Sequence, residues 1–208
     1  MMKNSFNSGE YWENRYKVGK TSGAGSYNAL AEFKAEIINK FISDNGIIRV
    51  VEWGCGDGNQ LSYMDFADYL GLDVSPEAIG ICRKKFADDG SKRFSLIDEN
   101  FRIGREFDLA LSLDVIFHLV EDAVFEKYML DLFSSSNKYV CVYSSDSETP
   151  PKLSVPVKHV KHRKFTKFIE ENIADFTLVE NIKNRYPFNA INQKRTSFAD
   201  FYFYRYDK

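Results

Sequence analysis

Val50-Val51-Glu52-Trp53-Gly54-Cys55-Gly56-Asp57-Gly58 is the stretch that decides the fold. An apolar run, Ile47 to Val51, leads into an acidic residue, and glycines then recur at 54, 56 and 58. The run is too short for a helix and rich in β-branched residues, so it reads as a buried parallel strand. The glycines read as the turn behind it, where backbone must approach a ligand and a side chain would block it. Strand, acid and glycine turn together mark a nucleotide-type site.

Two common phosphate sites do not match this turn. A dinucleotide fingerprint places its third glycine three residues after the second, and Asn59 occupies that place here. A P-loop needs Gly-Lys-Ser/Thr, and none follows. No Lys or Arg occurs between Val51 and Ile81. That basic-free stretch suits a ligand that carries its own positive charge.

Glu52-x-Gly54-x-Gly56-x-Gly58 resembles motif I of the class I S-adenosylmethionine (SAM) dependent methyltransferases. The resemblance implies that SAM is the cofactor, with its methionine part against Glu52, Gly54, Cys55, Gly56 and Gly58. It implies next an acid after the second strand for the ribose hydroxyls. Tyr69-Leu70-Gly71-Leu72-Asp73-Val74-Ser75 supplies Asp73, with Val74 beside it. A carboxylate can accept two hydrogen bonds from a diol. A third acid, for the adenine amino group, would be Asp98 in Phe94-Ser95-Leu96-Ile97-Asp98. The fourth-strand segment Phe107-Asp108-Leu109-Ala110-Leu111-Ser112 completes the pattern, with Leu113 at its end as a further cofactor contact. The resemblance spans residues 47–145 well and the ends more loosely. The competing reading is a doubly wound fold that binds NAD or nothing, and Asn59 stands against NAD.

At 208 residues the chain is most simply one domain, residues 1–208, with 1–28 as an N-terminal lid and 29–208 as core. The hydrophobic fraction, 44%, fills a core without any run long enough to span a membrane. Met1-Met2-Lys3-Asn4-Ser5 is not followed by an apolar signal region. Cys55, Cys82 and Cys141 form no Cys-x-x-Cys pair and read as reduced thiols. These features lead us to expect a cytoplasmic protein without a metal site. The net charge of −2 offers no basic field for nucleic acid. The oligomeric state is not legible.

Leu30, Phe33, Ile37, Ile38, Phe41 and Ile42 recur at helical spacing and predict a helix over 28–43, ended by Asn45-Gly46. Strands are then expected at 48–53, 69–73, 93–97, 107–112 and 138–144, and helices at 58–65, 76–86 and 121–134. Ser75-Pro76-Glu77 reads as the start of the second of these helices. A Ser/Pro-rich loop over 145–157, a helix at 163–174 and strands at 176–183 and 198–206 close the chain. Alternation of this kind predicts an α/β fold. We expect a Rossmann-like three-layer sandwich: a seven-stranded, mostly parallel sheet with an antiparallel last strand.

In such sheets ligands sit beyond the carboxyl ends of the parallel strands. All three histidines fall in loops expected at that edge. Methyl transfer needs the acceptor placed in line and, for a hydroxyl, a base. His118, close behind the fourth strand, is the first candidate base; its ordinary reading is a buried residue capping the helix near Glu121. His159 and His162 are the second candidates. His159-Val160-Lys161-His162-Arg163-Lys164 is the one dense basic cluster. It reads either as a solvated helix entry or as a clamp, through Arg163, for an anionic group on the acceptor. Tyr186, in the loop before the last strand, is a further candidate for substrate binding. By the resemblance, Asp114 stands near the methyl donor or acceptor. Ser112-Leu113-Asp114-Val115-Ile116-Phe117 replaces the Asn/Asp-Pro-Pro-Tyr/Phe segment of members that methylate bases or amides, which argues against base methylation.

Tyr11-Trp12-Glu13-Asn14-Arg15-Tyr16 and Thr21-Ser22-Gly23-Ala24-Gly25-Ser26-Tyr27 look like a closing segment. Its aromatics, Tyr16 among them, would cover SAM, and Arg15 would meet the methionine carboxylate. With the later His-x-x-His-Arg-Lys-Phe, this arrangement resembles methyltransferases of bacterial surface-polysaccharide synthesis. The expectation is methyl transfer to a small molecule or glycan, at a sugar hydroxyl or phosphate oxygen. The alternatives are N-methylation of a small molecule or protein, and a non-catalytic SAM-binding subunit.

Overall fold

The computed structural model describes residues 6–149 and 157–208. Seven strands form one sheet: β1 (Arg49–Trp53), β2 (Asp68–Asp73), β3 (Lys92–Leu96), β4 (Phe107–Leu113), β5 (Ser136–Ser144), β6 (Phe176–Ile182) and β7 (Asp200–Tyr206). Their order is β3-β2-β1-β4-β5-β7-β6. The first five are parallel, and β7 runs antiparallel to both β5 and β6. The expected sheet, with its antiparallel last strand, is the one observed.

Central strands carry apolar residues on both faces because helices cover both. All seven residues of β4 are buried. On one face pack α2 (Asn28–Asn45) and α3 (Pro76–Lys85), through Phe33, Ile38, Phe41 and Ile79. On the other pack α4 (Asp122–Ser134) and α5 (Phe165–Asn172), through Met129, Leu132, Phe133 and Ile169. A further helix, α1 (Ser8–Lys17), lies against α3, and its residue Asn7 caps it by accepting from the Glu10 N–H. Among the described residues no helix is long and apolar enough to cross a membrane.

Local signals explain the helix ends. Gly46 closes α2 in the left-handed conformation, and Ser75 caps α3 by accepting from the Ala78 N–H at 3.1 Å. The helix expected at 58–65 is only a single 3-10 turn, Gln60–Tyr63. Asn39 of α2 explains the shortening: its side chain donates to the Tyr63 carbonyl and accepts from the Asp65 N–H, drawing the chain off towards β2. The helix expected at 163–174 is trimmed to α5 at both ends, and residues 150–156 of the expected Ser/Pro-rich loop lie outside the described residues.

Chain order reverses between β1 and β4. From β1 the sheet grows one way through β2 and β3, and from β4 the other way through β5. The carboxyl ends of β1 and β4 therefore diverge around a crevice, the ligand position of open α/β sheets.

Candidate active site

A cavity of about 560 Å³ opens at that crevice. Its floor is the glycine turn. Gly54 and Gly56 have φ of 85° and 58°, a region that penalises any Cβ. A Cβ on Gly56 would stand 2.3 Å from Ser22 Oγ and 2.8 Å from the Tyr16 hydroxyl. Glycine here lets the N-terminal segment close over the turn. That closure is a polar clasp: the Ser22 N–H donates to Asp57 Oδ2 at 2.8 Å, and the Asp57 N–H donates to Ser22 Oγ at 3.0 Å. Tyr27 donates to the same Asp57 oxygen. Trp12, Tyr16, Ser22 and Ser26 thus line the cavity beside the glycines.

Asp73 ends β2, and its two oxygens accept the N–H groups of Ser75 and Gly56, each at 2.9 Å. Each oxygen keeps a lone pair for a ligand. Burial pushes this carboxyl up to about 6, against the opposing pull of the Ser75 and Gly56 N–H groups. Glu52 is also buried; it accepts from the Tyr69 hydroxyl at 2.6 Å, and burial raises it to about 7. Cys55, Val74, Asp98 and Leu113 line the same cavity, whereas Gly58 lies outside the lining and packs against Cys82 and Phe86.

At the end of β4, Asp114 has a φ of 60° and lines the cavity. Lys34 of α2, its side chain fully buried, donates to Asp114 Oδ2 at 2.6 Å. His118 lines the cavity too, in the 3-10 turn Ile116–His118. Its Nδ1 lies 2.9 Å from the carbonyl oxygen of His159. A carbonyl only accepts, so Nδ1 carries the hydrogen and Nε2 the lone pair. Burial holds this imidazole well below its usual range, which keeps it neutral.

The other histidines stand back. His159 stacks on Tyr11 at 4.6 Å and backs His118 at 5.5 Å. His162 pairs with Ser145 Oγ at 2.7 Å, packs on Phe198 and does not line the cavity. The anion-clamp expectation is corrected. Arg163 donates to the carbonyls of Leu119 and Val120 at 2.7 and 3.0 Å and to Asp122 at 2.9 Å, and Lys161 also pairs with Asp122. The basic cluster holds the loop after β4 in place, so the substrate-binding role for Arg163 falls. Tyr186 packs on Phe33, away from the cavity. Arg15 donates to the Thr21 carbonyl at 2.6 Å and lies over Trp12, outside the cavity lining.

Sequence reasoning missed three contributors. Lys34 sits on the inward stripe of α2, four residues after Leu30 and four before Ile38, and that position was the available signal. Gln60 lines the cavity from the turn after the glycines. Glu13 accepts from the Ser75 hydroxyl, docking α1 onto the start of α3. Among the described residues the lining carries seven acidic side chains, Glu52, Asp73, Asp98, Glu99, Asp114, Glu121 and Asp131, and one cation, Lys127. Such a cavity favours a ligand with positive charge. Among the described residues no cluster is suited to a metal ion.

Residues 51–135 match the family model described as a methyltransferase domain. That stretch is 85 of the 208 residues, and it is similar to a methyltransferase domain. S-adenosylmethionine is the methyl donor that such a domain uses, and the acidic lining and the free lone pairs of Asp73 fit that cation and its ribose diol. The fold is shared with solved methyltransferases. N-methyltransferase NodS from Bradyrhizobium japonicum WM9, solved with S-adenosylhomocysteine (SAH), aligns with a TM-score of 0.74 at 14% identity, over 98% of this chain and 100% of that one. Magnesium protoporphyrin IX methyltransferase from Synechocystis PCC 6803, solved with SAM, aligns with a TM-score of 0.70 at 12% identity, over 99% and 100%. Phosphoethanolamine N-methyltransferase 1 of Haemonchus contortus gives 0.65 at 14% identity, over 95% of this chain and 48% of that one. No curated protein sequence matches the chain.

Proposed function

We propose that this protein methylates a hydroxyl oxygen of a small molecule or glycan unit that bears no net negative charge, with His118 as the base. The observation that carries the reading is the fixed tautomer of His118: its one ring hydrogen is committed to the His159 carbonyl, and the side chain lines the cavity. When bound, SAM supplies an electrophilic methyl group on a sulfonium. Asp73 holds the ribose diol, Asp98 the adenine edge, and Glu52, Gly54, Cys55 and Gly56 bound the methionine end. Trp12 and Tyr16 exclude water above it. A hydroxyl that accepts the methyl group must give up its proton, and the neutral imidazole, with its Nε2 lone pair free, would take it. Its depressed basicity keeps that acceptor available well below neutral pH.

The acidic lining speaks against a phosphate acceptor, because among the described residues like charges would meet without a free cation to offset them. The same lining favours a second reading, an amine acceptor, which needs no strong base. One experiment separates them. SAM, SAH and NAD are titrated calorimetrically, and SAH release is then followed with hydroxyl, amine and phosphorylated acceptors. On the proposed reading SAM and SAH bind and NAD does not. His118→Gln then lowers kcat on a hydroxyl acceptor by about 10²–10⁴ and leaves SAH affinity unchanged. Unchanged kcat in that variant, or turnover of amines alone, selects the second reading. SAM binding without turnover on any acceptor would point to a non-catalytic subunit.

A further inference from the structure

Helix α1 bridges the crevice between the starts of α4 and α3. At its first turn the Ser8 N–H and hydroxyl donate to the two Glu121 oxygens at 2.9 and 2.8 Å. Further along, Glu13 accepts from the Ser75 hydroxyl and, at 3.3 Å, from the Glu77 N–H. Between these ties the helix presents two aromatic rings. Trp12 lines the cavity and meets His118 edge-to-face, with ring centroids 4.8 Å apart and planes at 71°. Tyr11 does not line the cavity. It lies flat on His159 instead, with centroids 4.6 Å apart and planes within 13°.

His159 touches His118 twice. Its ring stacks on the His118 ring at 5.5 Å and 21°, and its carbonyl takes the His118 Nδ1 hydrogen at 2.9 Å. Tyr11, His159 and His118 therefore form one column of rings drawn from three separate segments. Backbone bonds anchor the His159 turn to its neighbours: the Val160 N–H donates to the Val157 carbonyl at 3.1 Å, and the Lys161 N–H to the Phe117 carbonyl at 2.8 Å. On the side facing α1 the contact is the Tyr11 ring. Stacked rings resist sliding and tilting because their geometry as well as their area contributes. Without Tyr11 the turn is free to tilt, and a carbonyl that moves releases the Nδ1 hydrogen. An unanchored imidazole exchanges tautomers, and the form with its hydrogen on Nε2 cannot take a proton there.

We propose that Tyr11 is a positioning residue for methyl transfer: stacked on His159, it holds the carbonyl that keeps His118 Nε2 bare, so the helix that bridges the crevice also sets the base. The proposal rests on His118 as the base. The first test is a nitrogen NMR spectrum of protein labelled in its histidine rings, with His118 assigned by its loss from the spectrum of His118→Gln. Wild type should show His118 with Nδ1 protonated and Nε2 bare. Tyr11→Ala should show both tautomers, and Tyr11→Phe, which keeps the ring, the single one. The second test is turnover of a hydroxyl acceptor. Tyr11→Ala should lower kcat about two- to tenfold, the worth of such a stack, with acceptor KM and SAH affinity within about threefold of wild type. Tyr11→Phe should stay within about twofold. His159→Ala keeps the carbonyl but removes the ring through which Tyr11 acts; it should reproduce the loss, and it serves if Tyr11→Ala does not fold. The double variant should lose no more than either single one. A single His118 tautomer persisting in Tyr11→Ala, an unchanged kcat, or a fall in kcat matched by a fall in SAH affinity each overturns the proposal. Wild-type kcat in His118→Gln would instead mark failure of the base assignment, and the proposal falls with it.

Discussion

Gly56→Ala tests the link between the glycine turn and the N-terminal segment that closes over it. An alanine at a φ of 58° carries a backbone penalty of roughly 1–2 kcal/mol. Its Cβ would also lie 2.3 Å from Ser22 Oγ, an oxygen held in place by the Asp57 N–H and the Tyr16 hydroxyl, each at 3.0 Å. Moving Ser22 away forfeits those two hydrogen bonds, about 1 kcal/mol each. The sum is about 3–4 kcal/mol, which in a chain of this size lowers Tm by roughly 10 °C. Scanning calorimetry of wild type, Gly56→Ala and Gly80→Ala reads the effect. Gly80, on an exposed turn of α3, has nothing within 4 Å of its Cβ position, so alanine there should raise stability by about 0.5–1 kcal/mol. Adding Ser22→Ala to Gly56→Ala removes the obstructing oxygen and should restore about 1 kcal/mol of the loss as a coupling term. SAH affinity should fall in Gly56→Ala and recover in part in the double variant. A Gly56→Ala protein melting within about 2 °C of wild type, or the absence of coupling to Ser22, would refute this account of the turn.

Two further variants test the site's electrostatics. Asp73 and Glu52 have folded pKa values raised to about 6 and about 7 by burial, so the folded protein holds these protons more tightly than the unfolded chain. Their contribution to stability is therefore full below the unfolded values and lost as pH rises through the folded ones; relative to Asp73→Asn, wild type without ligand should gain up to about 3 kcal/mol between pH 7 and pH 4, measured as the difference in Tm. SAH affinity should run the other way, weakening in wild type below about pH 6 as Asp73 takes up its proton, and staying flat in Asp73→Asn. Arg163→Met removes the donors to the Leu119 and Val120 carbonyls and should cost about 2–4 kcal/mol in urea unfolding without altering the preference among acceptors; a selective loss of phosphorylated acceptors would restore the anion clamp.

The glycine turn and Asp73 were legible because their chemistry is local. A strand, a positive-φ turn and an acid ending the next strand are fixed by the backbone over 27 residues, and the positive φ of Gly56 already calls for glycine there. The sheet was legible for the same reason: period and run length announce each strand, and chain order leaves few ways to arrange them. The basic cluster misled because a run of cations does not say where its counter-charges lie. Those of Arg163 come from Leu119, Val120 and Asp122, more than forty residues earlier, and only the fold brings them together. The acidity of the cavity was hidden in the opposite way. A net charge of −2 reads as neutral, yet Glu52, Asp73, Asp98, Asp114 and Glu121 come from separate segments and converge because each ends or follows a strand, or starts a helix, at the same edge of the sheet. Lysines and arginines are nearly as numerous in the chain, 28 against 30 acids, but at this edge they are turned to other work: Lys34 holds Asp114, and Arg163 holds the loop after β4. The charge a ligand meets is set by which residues the topology leaves unpaired, which is why the proposed class of acceptor is argued from the cavity and not from the composition.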